Sequence, residues 1–193
     1  MRFSFPAAAL TALAALFLIG GCAEPVVFSE VFQLKEDQKL YTRYNLWYTD
    51  PEEISCLNIQ SGSILPIGTE IEPVGTDSLG TVSFRDASGK LYRIKFDAGY
   101  RLCSLRDFIA YTFTTEPPEE FLKDVSESAL VRIRRGEVVP GMNRAEVLFA
   151  YGPPPAVRTP NLRNESWVYW YGEHQDVRVI FRGDKVRTLF RAD

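Results

Sequence analysis

From Leu91 to Phe96 the side chains alternate, with Leu91, Arg93 and Lys95 on one side of an extended backbone and Tyr92, Ile94 and Phe96 on the other. A period of two predicts a half-buried strand. The run GTVSFRD at 80–86 precedes it, and Ala87-Ser88-Gly89 separates the two, which predicts a β-hairpin. Upstream, KLYTRYNLWYT at 39–49 is rich in the aromatic and β-branched residues that suit strands. DPEE at 50–53 breaks it as a turn, and ISCLNIQ at 54–60 and TEIEPV at 69–74 read as further short strands. Residues 105–111 fit either another strand or one helical turn. Five or six short strands at close spacing predict a small all-β domain over 22–114, an SH3-like barrel or a sandwich.

The period changes after TTEPPEE at 114–120. Phe121, Leu122, Val125, Ala129, Leu130 and Ile133 fall at mostly i, i+3, i+4 spacing, which predicts one amphipathic helix over 118–135. Arg132, Arg134 and Arg135 sit at its end, where cations suit the dipole, and Gly136 stops it. A second, shorter helix follows. Asn143 caps it, Glu146 completes a capping-box variant, and Gly152 with Pro153 to Pro155 ends it.

ESWVYWYG at 165–172, DVRVIFR at 176–182 and KVRTLFR at 185–191 then read as three strands. Gly183-Asp184 as a two-residue turn sets Phe181 opposite Val186, Val179 opposite Thr188 and Val177 opposite Phe190. That register turns Val177, Val179, Phe181, Val186, Thr188 and Phe190 toward the helices. It leaves Arg178, Ile180, Arg182, Arg187, Leu189 and Arg191 on the opposite face. Two helices on one side of a three-stranded antiparallel sheet make residues 115–193 an α+β unit.

The start of the chain follows neither period. Arg2 supplies one positive charge, and an apolar run of roughly 15 residues ends at Ile19. A membrane-crossing helix needs ~20. A basic start, a short apolar stretch and small residues at its end predict a secretory signal peptide over 1–21. Ile19-Gly20-Gly21-Cys22 resembles the bacterial lipobox. The resemblance implies that Cys22 becomes the mature N-terminus and is lipidated, with palmitate as a typical acyl chain. Ala23, standing where an inner-membrane protein would carry Asp, implies an outer-membrane lipoprotein facing the periplasm.

Composition narrows the picture further. Apolar residues make up 46% of the chain, which fits a folded protein and not a disordered one. The net charge is −3. The 22–114 segment carries 9 basic and 13 acidic residues, and 115–193 carries 12 of each. Neither half is the basic footprint of a nucleic-acid binder. With Cys22 taken by lipid, Cys56 and Cys103 form an even pair in a compartment that permits disulfides. They read either as a bridge or as two buried thiols. Two distant cysteines and one histidine make no metal cluster, and no cofactor motif is present. His174, near Glu173 and Asp176, is the sole histidine and lacks a nucleophile motif beside it. An enzyme is not expected.

Pro140-Gly141-Met142-Asn143-Arg144-Ala145-Glu146-Val147, then Tyr151-Gly152-Pro153-Pro154, Trp167-Val168-Tyr169 and Val179-Ile180-Phe181 together resemble the SmpA/OmlA (BamE) lipoprotein domain. The matching stretch runs over about 119–190. The resemblance implies a two-helix, three-stranded module that binds other envelope proteins, the β-barrel assembly machinery among them, and anionic lipid, without chemistry of its own. It departs from the family in Tyr151, where leucine is usual, and in the β region upstream. The residues themselves offer a surface of that kind. Arg178, Ile180, Arg182, Arg187 and Leu189, with Trp170 beside them, suit a partner-binding face, since arginine and aromatics are enriched in interfaces. The same face reads equally as solvated or as covered by the β domain. The expected function is a binding or scaffolding module in outer-membrane protein assembly or envelope integrity. The alternative is a periplasmic binder unrelated to that machinery, inhibitor- or sensor-like.

Overall fold

The computed structural model describes residues 26–172 and 175–192, so Cys22, the signal segment, Glu173 and His174 lie outside the described residues. In chain order the strands are β1 (Leu40–Thr42), β2 (Leu46–Tyr48), β3 (Ile54–Ser55), β4 (Ser63–Leu65), β5 (Glu70–Thr76), β6 (Thr81–Asp86), β7 (Leu91–Lys95), β8 (Phe113–Thr114), β9 (Ser166–Tyr171), β10 (Gln175–Arg182) and β11 (Lys185–Ala192). The helices are α1 (Phe28–Phe32), α2 (Ala98–Arg101), α3 (Leu105–Thr112), α4 (Pro118–Phe121), α5 (Glu127–Arg134) and α6 (Arg144–Tyr151). The fold is mixed α+β. A six-stranded sheet in the order β3-β7-β6-β5-β1-β8 accompanies a three-stranded sheet β11-β10-β9 and a two-stranded sheet β2-β4.

The alternation at 91–96 becomes β7, paired antiparallel with β6 through Phe84↔Tyr92 and Val82↔Ile94. Phe84, Tyr92, Val82 and Ile94 are buried, and the rings of Phe84 and Tyr92 stack at 5.4 Å. The hairpin turn is tied by Asp86, whose Oδ1 accepts the N–H groups of Ser88 at 2.9 Å and Lys90 at 3.1 Å. An aspartate that bonds the backbone ahead of it is a common way to fix such a turn. β3 joins the far edge parallel to β7.

The segment 39–49 forms two short strands in different sheets instead of one strand. β1 pairs with β5 and β8, whereas β2 pairs only with β4. The chain leaves the large sheet between them because Asn45 crosses to the C-terminal half, where its N–H bonds the Phe149 carbonyl at 3.0 Å. Of ISCLNIQ, only Ile54–Ser55 is strand. Residues 105–112 form helix α3, whose N-cap Ser104 accepts the Asp107 N–H at 3.1 Å.

One helix over 118–135 is replaced by two. α4 ends at Phe121, and α5 begins after Ser126, whose hydroxyl accepts the Ala129 N–H at 3.2 Å. The apolar spacing continues across the break, but Ser126 is an N-cap residue, and capping outcompetes helix continuation there. α6 carries a complete capping box: Glu146 N–H donates to Asn143 Oδ1 at 2.9 Å, and Asn143 N–H to Glu146 Oε2 at 2.6 Å.

Two apolar cores result. The first gathers Phe28, Leu40, Ile54, Val82, Phe84, Ile94, Phe108 and Phe113 around the large sheet. The second gathers Ile133, Val147, Ala150, Trp167, Tyr169, Val177, Val179, Phe181 and Val186 between α5, α6 and β9–β11. Ile67, from the N-terminal half, belongs to the second core, and Trp47 packs against it.

Candidate functional site

The outer face of the three-stranded sheet is set by the β10–β11 register. Phe181 lies opposite Val186, but Ile180 then lies opposite Thr188, so Arg187 is an extra residue at a β-bulge. A bulge of one residue turns every side chain beyond it to the other face. Val179 therefore faces Leu189, and Val177 faces Arg191. Leu189 packs against the second core, whereas Phe190 is turned out and is 56% exposed. The sequence expectation for both residues is thus reversed. Arg191 also goes to the helix side, with its guanidinium over the Tyr171 ring at 4.6 Å.

Arg178 and Ile180 remain outside, opposite Phe190 and Thr188 on one flank and Val168 and Ser166 on the other. Arg182 and Arg187 are exposed at the hairpin end and make no ion pair among the described residues. Arg178 approaches Asp176 at 3.8 Å, but that carboxylate is already held by Arg158 at 2.5 Å. Trp170 lies beneath Arg158, whose guanidinium stands 4.8 Å from the ring centre, so it is half-buried instead of open. The face that remains free presents Ile180 between Arg178 and Arg182, with Phe190 beside Arg178 and Arg187 toward the hairpin end. Such a surface can take an apolar group at its centre and carboxylates or phosphates at its rim.

Arg144, inside the resemblance motif, does not contribute to that face. Its guanidinium sits 4.1 Å from the Phe181 ring centre, donates to the Leu162 carbonyl at 2.7 Å and the Asn164 carbonyl at 2.9 Å, and fastens the 161–164 loop.

The sheet is held against the N-terminal half by a buried polar joint that the sequence does not announce. Asn45 Oδ1 accepts the Ile67 N–H at 2.9 Å, and Asn45 Nδ2 donates to the Ala150 carbonyl at 3.2 Å. Asn58 Nδ2 donates to the carbonyls of Asn45 at 2.9 Å and Tyr151 at 2.8 Å. Gln60 N–H donates to the Trp170 carbonyl at 3.0 Å, closing the edge of β9. Arg101 is almost fully buried, donates to the carbonyls of Pro153 at 2.8 Å and of Cys56, and lies over the Phe108 ring. Gly136 abuts Trp47 so closely that a Cβ there would overlap the indole.

Cys56 and Cys103 are both free thiols. Cys56 Sγ accepts the Asp97 N–H at 3.3 Å, and Cys103 Sγ lies 3.7 Å from the Tyr111 hydroxyl. The bridge that the sequence allows is therefore not formed. Burial pushes the Cys56 thiol up, with nearby Arg101 opposing it. Among the described residues, no group of His, Cys, Asp and Glu is placed to hold a metal ion, and no helix is long and apolar enough to cross a membrane. No family model, curated protein or solved structure matches the chain.

Proposed function

We propose that this protein is an outer-membrane lipoprotein, anchored through Cys22 on the periplasmic face, that works as a binding or scaffolding module in outer-membrane protein assembly or envelope integrity. The observation that carries the reading is the free outer face of β9–β11, where Ile180 and Phe190 are set among Arg178, Arg182 and Arg187. Its other side is filled by α5, α6 and the second core, so binding is the use left to the outer one. The SmpA/OmlA-like motif falls on the same unit and supports the partner class: other envelope proteins, with anionic lipid suited to the arginines. The lipobox-like Ile19-Gly20-Gly21-Cys22 supports the address. The small β domain, read as SH3-like or as a sandwich, holds this module in a fixed orientation through the joint at Asn45 and Asn58.

The test is in-cell photocrosslinking from Ile180 and from Phe190, followed by identification of the captured protein. Capture of β-barrel assembly subunits supports the assembly role. Reproducible capture of a different periplasmic protein favours the inhibitor- or sensor-like alternative. Absence of any crosslink from both positions, in cells where the protein is abundant, sinks the binding reading of this face.

A further inference from the structure

One end of the six-stranded sheet is unlike the rest of the surface. β5 runs to it, the 77–80 turn caps it, and β7 ends there before leading into α2. The first described residue is at the same end, since the Thr76 hydroxyl donates to the Val26 carbonyl at 3.0 Å. Several side chains that would normally be buried project from this end. Leu79 is 85% exposed and Val74 56%, and Val27 is exposed as well, while Leu102, 62% exposed, and Tyr100 stand on the α2 turn that follows β7. Beside them an open apolar cavity of about 350 Å³ is lined by Val26, Val27, Phe28, Leu34 and Val74.

The exposed leucine is presented on a rigid support. Asp77 Oδ1 accepts the N–H groups of Leu79 at 2.9 Å and Thr81 at 2.8 Å, which locks the turn and aims Leu79 outward. Apolar side chains clustered and held in this way mark an interaction surface. Cys22 precedes Val26 by four positions. A fully extended link of that length spans no more than ~14 Å. A lipid on Cys22 thus keeps this end within reach of the bilayer.

We infer that this apolar end is a membrane seat: Leu79, Leu102, Val74 and Val27 enter the periplasmic surface of the bilayer that holds the Cys22 lipid. The inference rests on the lipoprotein reading. Its driving force is apolar burial, because Asp77 and Asp97 spend their carboxylates on backbone N–H groups of their own turns and, among the described residues, no row of cations accompanies the leucines. The occupant is accordingly a lipid surface of any headgroup charge. The seat also fixes orientation, since the lipid alone would leave the domain free to tumble on its tether.

The experiment uses the mature, lipidated protein in phosphatidylethanolamine–phosphatidylglycerol vesicles that contain brominated lipid. Three variants, L79W, L102W and F190W, are compared with the parent by difference fluorescence. The expected result is loss of most of the added emission for L79W and L102W and no loss for F190W. Quenching of F190W alone, or of none of the three in protein that floats with the vesicles, overturns the seat and leaves the lipoprotein reading standing. Protein that takes up no palmitate in cells and fails to float overturns both.

Discussion

Asn58 donates one side-chain amide to the carbonyls of Asn45 and Tyr151, at 2.9 and 2.8 Å, so residues 106 positions apart share a single donor group in the interior. Asn45 uses its own amide in the same way, receiving Ile67 and giving to Ala150. These two side chains turn two apolar cores into one folded unit. Asn45→Ala leaves the Ile67 N–H buried without its partner and removes one of the two side-chain donors to the Ala150 carbonyl, the other being the Trp47 indole, at a cost of about 2 kcal/mol. Denaturant unfolding should show the midpoint falling, and probes in the two cores should separate. Superimposable transitions at the parental midpoint would show the joint to be dispensable.

Gly152, like Gly136, makes a close approach across the same joint. It closes α6 at φ 73°, and a Cβ there would stand 2.7 Å from a Tyr44 ring carbon and 2.9 Å from Asn58 Nδ2. Gly152→Ala therefore meets both backbone strain and overlap, a loss of roughly 2–4 kcal/mol. Thermal unfolding checks it. An unchanged midpoint would mean the joint yields easily.

Local structure was legible in the sequence wherever partners are close along the chain. The Asn143–Glu146 capping box, the Gly152 stop, the 80–96 hairpin and the three C-terminal strands were all signalled by their own residues. The joint was not, because Asn45 reads as one polar residue in an aromatic strand and its partners lie 22 to 105 positions away. The split of the predicted 118–135 helix was written in Ser126 but masked by the continuing apolar stripe. The β10–β11 bulge was invisible to period counting, because the turn residues allowed the simpler register. Leu189 and Phe190 changed faces as a result, which replaced one of the candidate partner-binding residues.

The thiols give a check on the environment each occupies. Cys56 is buried beneath Arg101 and Asp97, and Cys103 is only half-buried. Native protein treated with maleimide should label Cys103 quickly and Cys56 only on unfolding. Denaturation without reductant should expose both thiols. A count of zero would show the two joined by a disulfide.

Five of the nine tyrosines have hydroxyls pushed above their ordinary value, burial being the first cause for Tyr44, Tyr92, Tyr111, Tyr151 and Tyr169. A group whose folded value is raised contributes stability that is complete below its unfolded value and is lost as pH rises toward the folded one. The unfolded value is ~10, so the tyrosine contribution to stability should be flat below that pH and fall above it. Phenolate absorbance and circular dichroism, followed together, should show the buried tyrosines ionising only as structure is lost. Ionisation of all nine in intact protein would refute the burial assignment.

The arginines of the outer face carry the functional proposal most directly. Arg178, Arg182 and Arg187 are exposed, and none is needed to satisfy a buried group, so changing all three to serine should leave the unfolding midpoint within about 0.5 kcal/mol of the parent. Partner capture should weaken on the order of tenfold and lose its dependence on salt, because exposed cations act chiefly through screened attraction. Arg144→Ala serves as the contrast. It removes the clamp on the 161–164 loop, so it should lower stability while leaving the outer-face cations in place. Pull-down of the crosslinked partner at low and high salt, alongside thermal unfolding of both variants, separates the two effects. Undiminished, salt-sensitive capture by the triple variant would place the binding surface elsewhere on the molecule.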